Sequence, residues 1–213
     1  MSLSLEITVV LFLVSLAVGF ITGRWRRKAA ENTGEARVRR LLTDYCKDKD
    51  AHLLNNITVD LGQGKTTQID HILITSAGVF VIETKDYKGW IFANPKAKTW
   101  TQVIYRSTFK FQNPLLQNYK HLKAVESLLD FQERGSIHGL VVFTGDAMFK
   151  TPQPQGVYYF RDLIAAIERF TQETMSLNRL QFCIGRIEYY RCALTHQTDI
   201  QHQAYLIQKL GES

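Results

Sequence analysis

The chain has 213 residues, 45% of them hydrophobic and 22% charged, with a formal net charge of +6. That balance fits one domain with additional segments and excludes a low-complexity or disordered chain. Three scattered cysteines, Cys46, Cys183 and Cys192, form no C-x-x-C pair, which excludes a zinc ribbon or dithiol motif and fits free thiols in a reducing compartment.

The first predicted element is an apolar run over 7–22, followed at once by Arg24, Trp25, Arg26, Arg27 and Lys28. With Leu3 and Leu5 it approaches the ~17–25 residues that span a bilayer. A cleaved signal peptide carries positive charge ahead of its apolar run, whereas here Glu6 is the one charged side chain that precedes it. The cationic cluster behind the run is a stop-transfer and positive-inside signal, and Trp25 suits an interfacial anchor. Residues 3–23 are therefore expected to form a single transmembrane helix in contact with membrane lipid. The amino terminus is placed outside and the rest at the cytoplasmic face, as in a bacterial inner membrane. Residues 24–33 follow as a basic juxtamembrane linker.

Gly34-Glu35-Ala36-Arg37-Val38 opens a helix in which Val38, Leu41, Leu42 and Tyr45 follow 3.6-residue spacing. Asn32 or Thr33 suits the N-cap, and Glu35 in the first turn suits the helix dipole. Residues 52–59 read as a strand, with Gly62-Gln63-Gly64 as a loop after it.

The next two runs, 69–75 and 79–85, are rich in β-branched residues and read as strands joined by Thr75-Ser76-Ala77-Gly78, with Gly78 left-handed. A hairpin folded about Ser76-Ala77 pairs residues whose numbers sum to 153. Asp70 then faces Glu83, and Gln68 faces Lys85. Lys85 shares the face of Glu83 because strand side chains alternate. Like charges directly opposite one another destabilise a sheet, and burial raises that cost by pushing one carboxyl towards protonation. Two arrangements answer the problem: a divalent cation between the acids, or an ion pair between Lys85 and one of them.

Gly89 turns the chain into a short strand, 90–92, expected to pair with 100–105. Asn113-Pro114 begins a helix over 115–129 that carries Gln117 and His121 on one face. Residues 139–143 read as a buried parallel strand and 160–170 as an amphipathic helix. Beyond 177, Ile184, Ile187, Tyr190 and Leu194 suggest one helical stripe and 205–210 a second. His196 and His202 lack acid or cysteine partners at ligand spacing and read as surface or helix-face histidines.

Charge is not spread evenly. The segment 85–123 holds eight Lys or Arg residues against the single acid Asp86, interleaved with Tyr87, Trp90, Phe92, Trp100, Tyr105, Phe109, Phe111 and Tyr119. Clustered cations with aromatics mark a phosphate-backbone or single-strand binding face. Amphipathic strands with aromatic inner faces and solvated lysines give the same pattern.

Four sequence pieces in order carry a family resemblance: Gly34-Glu35 with Val38; Gln68-Ile69-Asp70-His71; residues 78–85 ending in Glu83-Thr84-Lys85; and Asn113-Pro114-Leu115-Leu116-Gln117-Asn118. The chain resembles the nuclease-related domain (NERD) family, a branch of the PD-(D/E)xK nuclease superfamily. The resemblance implies an α/β fold, a restriction-endonuclease-like mixed sheet flanked by helices over 34–150, with a mostly helical C-terminal extension over 151–213. It also implies that Asp70, Glu83 and Lys85 are the catalytic triad, with Glu35 and Gln117 as supporting positions. Mg²⁺ or Mn²⁺ is then expected on Asp70, Glu83, the Thr84 carbonyl and Glu35, with DNA as the expected nucleic-acid substrate. Two departures stand out: Ala93 where glycine is frequent, and His121 where some relatives place a tyrosine four residues after the glutamine. The competing expectation is a catalytically inactive nucleic-acid-binding or scaffold protein at the membrane, on the same fold.

Overall fold

The structure is a computed structural model that describes residues 33–130 and 136–211. The expected transmembrane helix at 3–23, and the linker apart from Thr33, lie outside the described residues. Among the described residues no helix is long and apolar enough to cross a membrane.

Helix α1 (Thr33–Cys46) is followed by a meander of β1 (Ala51–Gly62), β2 (Lys65–Thr75) and β3 (Gly78–Lys85). Strands β4 (Gly89–Phe92), β5 (Thr99–Ile104) and β6 (Ser107–Gln112) come next, then helix α2 (Pro114–Leu129). The chain returns as β7 (Ile137–Phe143), β8 (Ala147–Phe149) and β9 (Val157–Tyr159). A 3-10 turn (Phe160–Asp162) leads into α3 (Leu163–Ile167), and α4 (Leu177–Tyr190) and α5 (His196–Gly211) close the described chain.

The mixed sheet expected from the sequence is two sheets. The first has the order β1-β2-β3-β7-β9 and the second β6-β5-β4-β8. In the first, β1, β2 and β3 are antiparallel, while β7 joins β3 and β9 joins β7 in parallel. The parallel return of β7 requires a crossover, and α2 lies on it. Strand β9 and helix α4 belong to the segment expected to be a helical extension, yet the first completes the sheet and the second fills its core.

Strand β3 is buried on both faces from Gly78 to Thr84, which explains its unbroken apolar character. Val79 and Val81 pack towards α2 and α4, in a core with Ile69, Ile72, Val125, Leu129, Cys183 and Ile187. Phe80 and Ile82 point the other way, to Val38 and Leu42 of α1 and Leu163 and Ile167 of α3. Alternation therefore sends Glu83 and Lys85 to the α2 face and Thr84 to the α1 face. A third core joins Ile91 and Trp100 of the second sheet to Val141, Phe143 and Val157 of the first.

The β2–β3 hairpin has the register expected from the sequence: His71 pairs with Ile82, Leu73 with Phe80 and Thr75 with Gly78. Gly78 has φ +145°, and a Cβ there would sit 2.7 Å from the Ser136 carbonyl oxygen, so both the turn and the close strand require glycine.

Candidate active site

The hairpin ladder ends at His71 and Ile82, one pair before Asp70 and Glu83. Beyond it the Thr84 N–H donates to Asp70 Oδ2 at 2.7 Å, so a carboxylate takes the place of the backbone acceptor a longer ladder would supply. A strand residue directs its N–H and C=O to the same neighbour. The Thr84 carbonyl thus faces the same gap beside Asp70.

Glu83 is 2% exposed and held from two sides. Lys85 Nζ donates to its Oε1 at 2.5 Å and to Gln117 Oε1 at 3.1 Å. His121 Nε2 stands 3.1 Å from Oε2, out of line for a full hydrogen bond, and the other ring nitrogen, Nδ1, lies 2.8 Å from Thr67 Oγ1. Burial pushes the Glu83 carboxyl up, but His121 and Lys85 outweigh it and hold it below the usual carboxylate range. Burial likewise opposes the charge on Lys85, and Glu83 and Asp70 more than restore it.

Asp70 behaves differently. Its burial, and then the charges of Glu83 and Glu35, raise its carboxyl well above the ordinary value, against the opposing pull of Thr84 and Lys85. The ion-pair arrangement considered from sequence thus forms at Glu83, while the pull of Lys85 on Asp70 falls short of offsetting burial and the neighbouring acids.

Helix α2 explains the Asn113–Asn118 motif residue by residue. Asn113 is fully buried; its Oδ1 caps the helix by accepting from the Leu115 N–H, and its Nδ2 donates to the carbonyls of Pro95 and Ala97. Pro114 occupies the first turn, where no N–H is needed. Asn118 Nδ2 reaches the carbonyls of Val81 and Leu140, tying α2 to β3 and β7. With the helix so fixed, Gln117 and His121, one turn apart, meet Lys85 and Glu83.

Gly34 has an equally local reason. A Cβ at this position would lie 2.3 Å from Thr144 Oγ1 and 2.7 Å from Asp86 Cβ. Glycine lets α1 approach the site closely and brings Glu35 to its rim. The resulting cleft, about 360 Å³, is lined by Glu35, Asp70, Glu83, Thr84, Lys85 and Gln117, together with Asp86 and Tyr87. All six residues expected to act from the sequence thus border one cavity. His121 and Thr67 are additions; the four-residue spacing of Gln117 and His121 was the available signal.

The donor set suits a hard divalent cation. Asp70, Glu83 and Thr84 line the cleft, and Glu83 Oε2, 3.1 Å from His121 Nε2, is buried without an aligned donor. Among the described residues no three His, Cys, Asp or Glu side chains reach metal-ligand spacing. Mg²⁺ tolerates this, since it keeps several waters and takes one or two carboxylates plus substrate phosphate.

The basic, aromatic segment divides between core and surface. Trp100 is 1% exposed, and Tyr87 and Phe111 pack beside it. Trp90, Phe92, Tyr105, Phe109 and Tyr119 are exposed. Cross-strand pairing puts Trp90 with Met148, and Phe92 with Thr101 and Lys110, on the outer face of the second sheet. Lys150 Nζ sits 4.6 Å from the Trp90 ring centroid.

The fold and site define a nuclease-like α/β domain. Residues 30–144 match the nuclease-related domain, and the chain belongs to that family. It is also 40% identical over 162 residues to an uncharacterized protein of Bacillus anthracis, covering 74% of this chain and 73% of that one. A solved structure of Pyrococcus furiosus SfsA in complex with Ca²⁺ aligns with 71% of this chain at 12% identity and a TM-score of 0.25, and the alignment spans 50% of that chain.

Proposed function

We propose that this protein is a divalent-cation-dependent phosphodiesterase that cuts nucleic acid, with DNA as its substrate, through a restriction-endonuclease-like site. The observation that carries this reading is that Asp70, Glu83 and Lys85 border one cleft, where burial and Glu83 raise the Asp70 carboxyl despite the pull of Lys85. Asp70, Glu83 and the Thr84 carbonyl would hold Mg²⁺ or Mn²⁺, and Glu35 would hold a water bound to it. Bound there, the cation polarises the scissile phosphate and acidifies a ligand water. Lys85, steered by Glu83 and Gln117, presents its ammonium to the charge developing on the phosphate. His121 and Thr67 hold the Glu83 carboxylate in place from behind. Plasmid, linear and single-stranded DNA, and RNA, incubated with the full chain and Mg²⁺ or Mn²⁺, test the reading. Cleavage that EDTA abolishes supports it; cleavage indifferent to EDTA contradicts it.

A second reading, a catalytically inactive nucleic-acid-binding or scaffold protein, draws on the exposed Trp90, Phe92, Lys110 and Lys150 on the second sheet. Stacking and phosphate contact there serve an enzyme or a binder equally. The opposed carboxylates favour the enzyme, since acids facing phosphate weaken simple binding.

The same reading places the site at the cytoplasmic face of a membrane, anchored in lipid by residues 3–23. Membrane fractionation of the full chain and of a variant lacking 3–23 tests this part: recovery of both in the same fraction contradicts the anchor.

A further inference from the structure

A second cleft, about 320 Å³, lies against the candidate active site and shares Gln117 with it as a partition. Gln117 borders both cavities while its Oε1 accepts from Lys85. His121 borders the second cleft and turns its Nε2 to Glu83. The far wall comes from α5, through His202, Tyr205 and Leu206. That helix lies beyond residues 30–144, the span matched by the family. It is fixed to β2 by the 2.8 Å contact between Thr66 Oγ1 and His202 Nδ1.

The groups presented suit one chemical class of occupant. Gln68, Gln112 and Gln117 offer amides, each with donors and an acceptor, at the spacing of a cavity rather than a flat surface. Lys120 supplies the cation on the same helix as Gln117, and Tyr205 supplies an aromatic ring. Amides that read a base edge, a ring that stacks and a cation for phosphate are the elements of nucleotide recognition. The volume is at the lower end of small-ligand sites, ~300–1,000 Å³, and suits a single nucleotide.

From this geometry we infer that the second cleft is a subsite for the nucleotide flanking the scissile phosphate, with α5 as its far wall. The inference rests on the phosphodiesterase reading for the position of the cut. The strand enters over Lys120, seats one base among the glutamines against Tyr205, and crosses Gln117 into the catalytic cleft. Gln117 would then border the path of the strand on one side and hold Lys85 on the other.

The test uses the full chain in mild detergent, with Asp70→Asn as the background for binding so that no substrate is consumed. Labelled oligonucleotides are lengthened one nucleotide at a time and their affinities measured by fluorescence anisotropy. One lengthening step should tighten binding at least fivefold. Tyr205→Ala and Lys120→Ala should each erase that step and leave the other steps intact. In the cleaving protein the same two changes should raise KM for the longer substrate, with kcat within twofold. A step that survives both substitutions overturns the subsite, whatever the cleavage result. Loss of the step in a protein that cuts nothing removes the hydrolytic reading alone and keeps the cleft as a nucleotide site. Circular dichroism of each variant guards against a fold defect. If Tyr205→Ala unfolds the chain, Tyr205→Leu keeps the apolar packing and removes the stacking ring.

Discussion

His121 Nε2 stands 3.1 Å from Glu83 Oε2, while Lys85 grips the opposite oxygen of the same carboxylate at 2.5 Å. A buried acid is thus held between a lysine of its own strand and a histidine of the helix packed on that face of the sheet. The clamp fixes Glu83 in orientation as well as in charge state. This makes His121 a positioning residue: it acts through Glu83.

His121→Ala should lower kcat by roughly ten- to a hundredfold, the usual cost of losing a group that orients a ligand. KM should change less than kcat, because Lys85, Gln117, Lys120 and Tyr205 remain in place. Steady-state kinetics separate the two effects. His121→Gln should recover part of the loss, since an amide nitrogen can still reach the carboxylate.

Asp70 carries the opposite electrostatic burden. Its folded-state carboxyl is raised well above the ordinary value by burial and by Glu83 and Glu35. Its contribution to stability is therefore full below the unfolded-state value and is lost as pH rises through the folded value. Asp70→Asn should raise the thermal midpoint of the cation-free protein near neutral pH and abolish cleavage. The same midpoint should rise with added Mg²⁺ in the wild type but not in the variant. Differential scanning fluorimetry measures both; a midpoint lowered by Asp70→Asn contradicts the charge conflict.

His71 provides a pH signature independent of activity. Burial, and then the charge of Arg39, lower this imidazole to about 4 against Glu83, and its Nδ1 donates to Asn55 Oδ1 at 2.7 Å. The unfolded chain binds a proton near pH 6.5 that the folded chain refuses until about pH 4. Stability should therefore fall as pH drops through that window, by up to about 3 kcal/mol from this residue. Urea unfolding of the wild type and His71→Leu at pH 7.5 and pH 5 isolates the contribution. The variant should lose less stability between the two conditions.

Asn113 is the structural hinge of the site. Its side chain, at zero exposure, caps α2 and donates to the carbonyls of Pro95 and Ala97. Asn113→Ala should cost about 1–2 kcal/mol, roughly 1 from the cap and the rest from the lost side-chain hydrogen bonds to the Pro95 and Ala97 loop. Chemical denaturation reads the loss. Activity should fall with it, since α2 delivers Gln117 and His121.

The hairpin register was legible because a buried strand alternates its faces and a short turn admits few pairings; Thr75 meets Gly78 as the sequence implies. Asp70, Glu83 and Lys85 followed from that register. Gln117 followed from a motif, whereas His121 required knowing which strand end α2 crosses. Strand β6 escaped because Ser107–Gln112 is exposed at all positions but Phe111, which erases its alternation. Strands β8 and β9 span three residues each, too short for a period to show. The amphipathic stretch over 160–170 breaks into a 3-10 turn and the short helix Leu163–Ile167. Leu194, expected on the stripe of Ile184 and Ile187, falls beyond the end of α4, where Arg191 bridges to Val59 and the Cys192 N–H donates to Thr58. Tertiary contacts, not local pattern, end that helix.

The decisive measurement is the rate at which the full chain cuts a labelled DNA duplex in Mg²⁺, compared with Lys85→Ala purified alongside it. Lys85 contacts Glu83 and Gln117 and lines the cleft, so its removal strips the ammonium from the proposed phosphate site. The wild type should cut and the variant should be slower by at least about a hundredfold, the scale of losing one charge-stabilising donor. Equal rates in the two preparations would contradict the assignment of this cleft as a nuclease site.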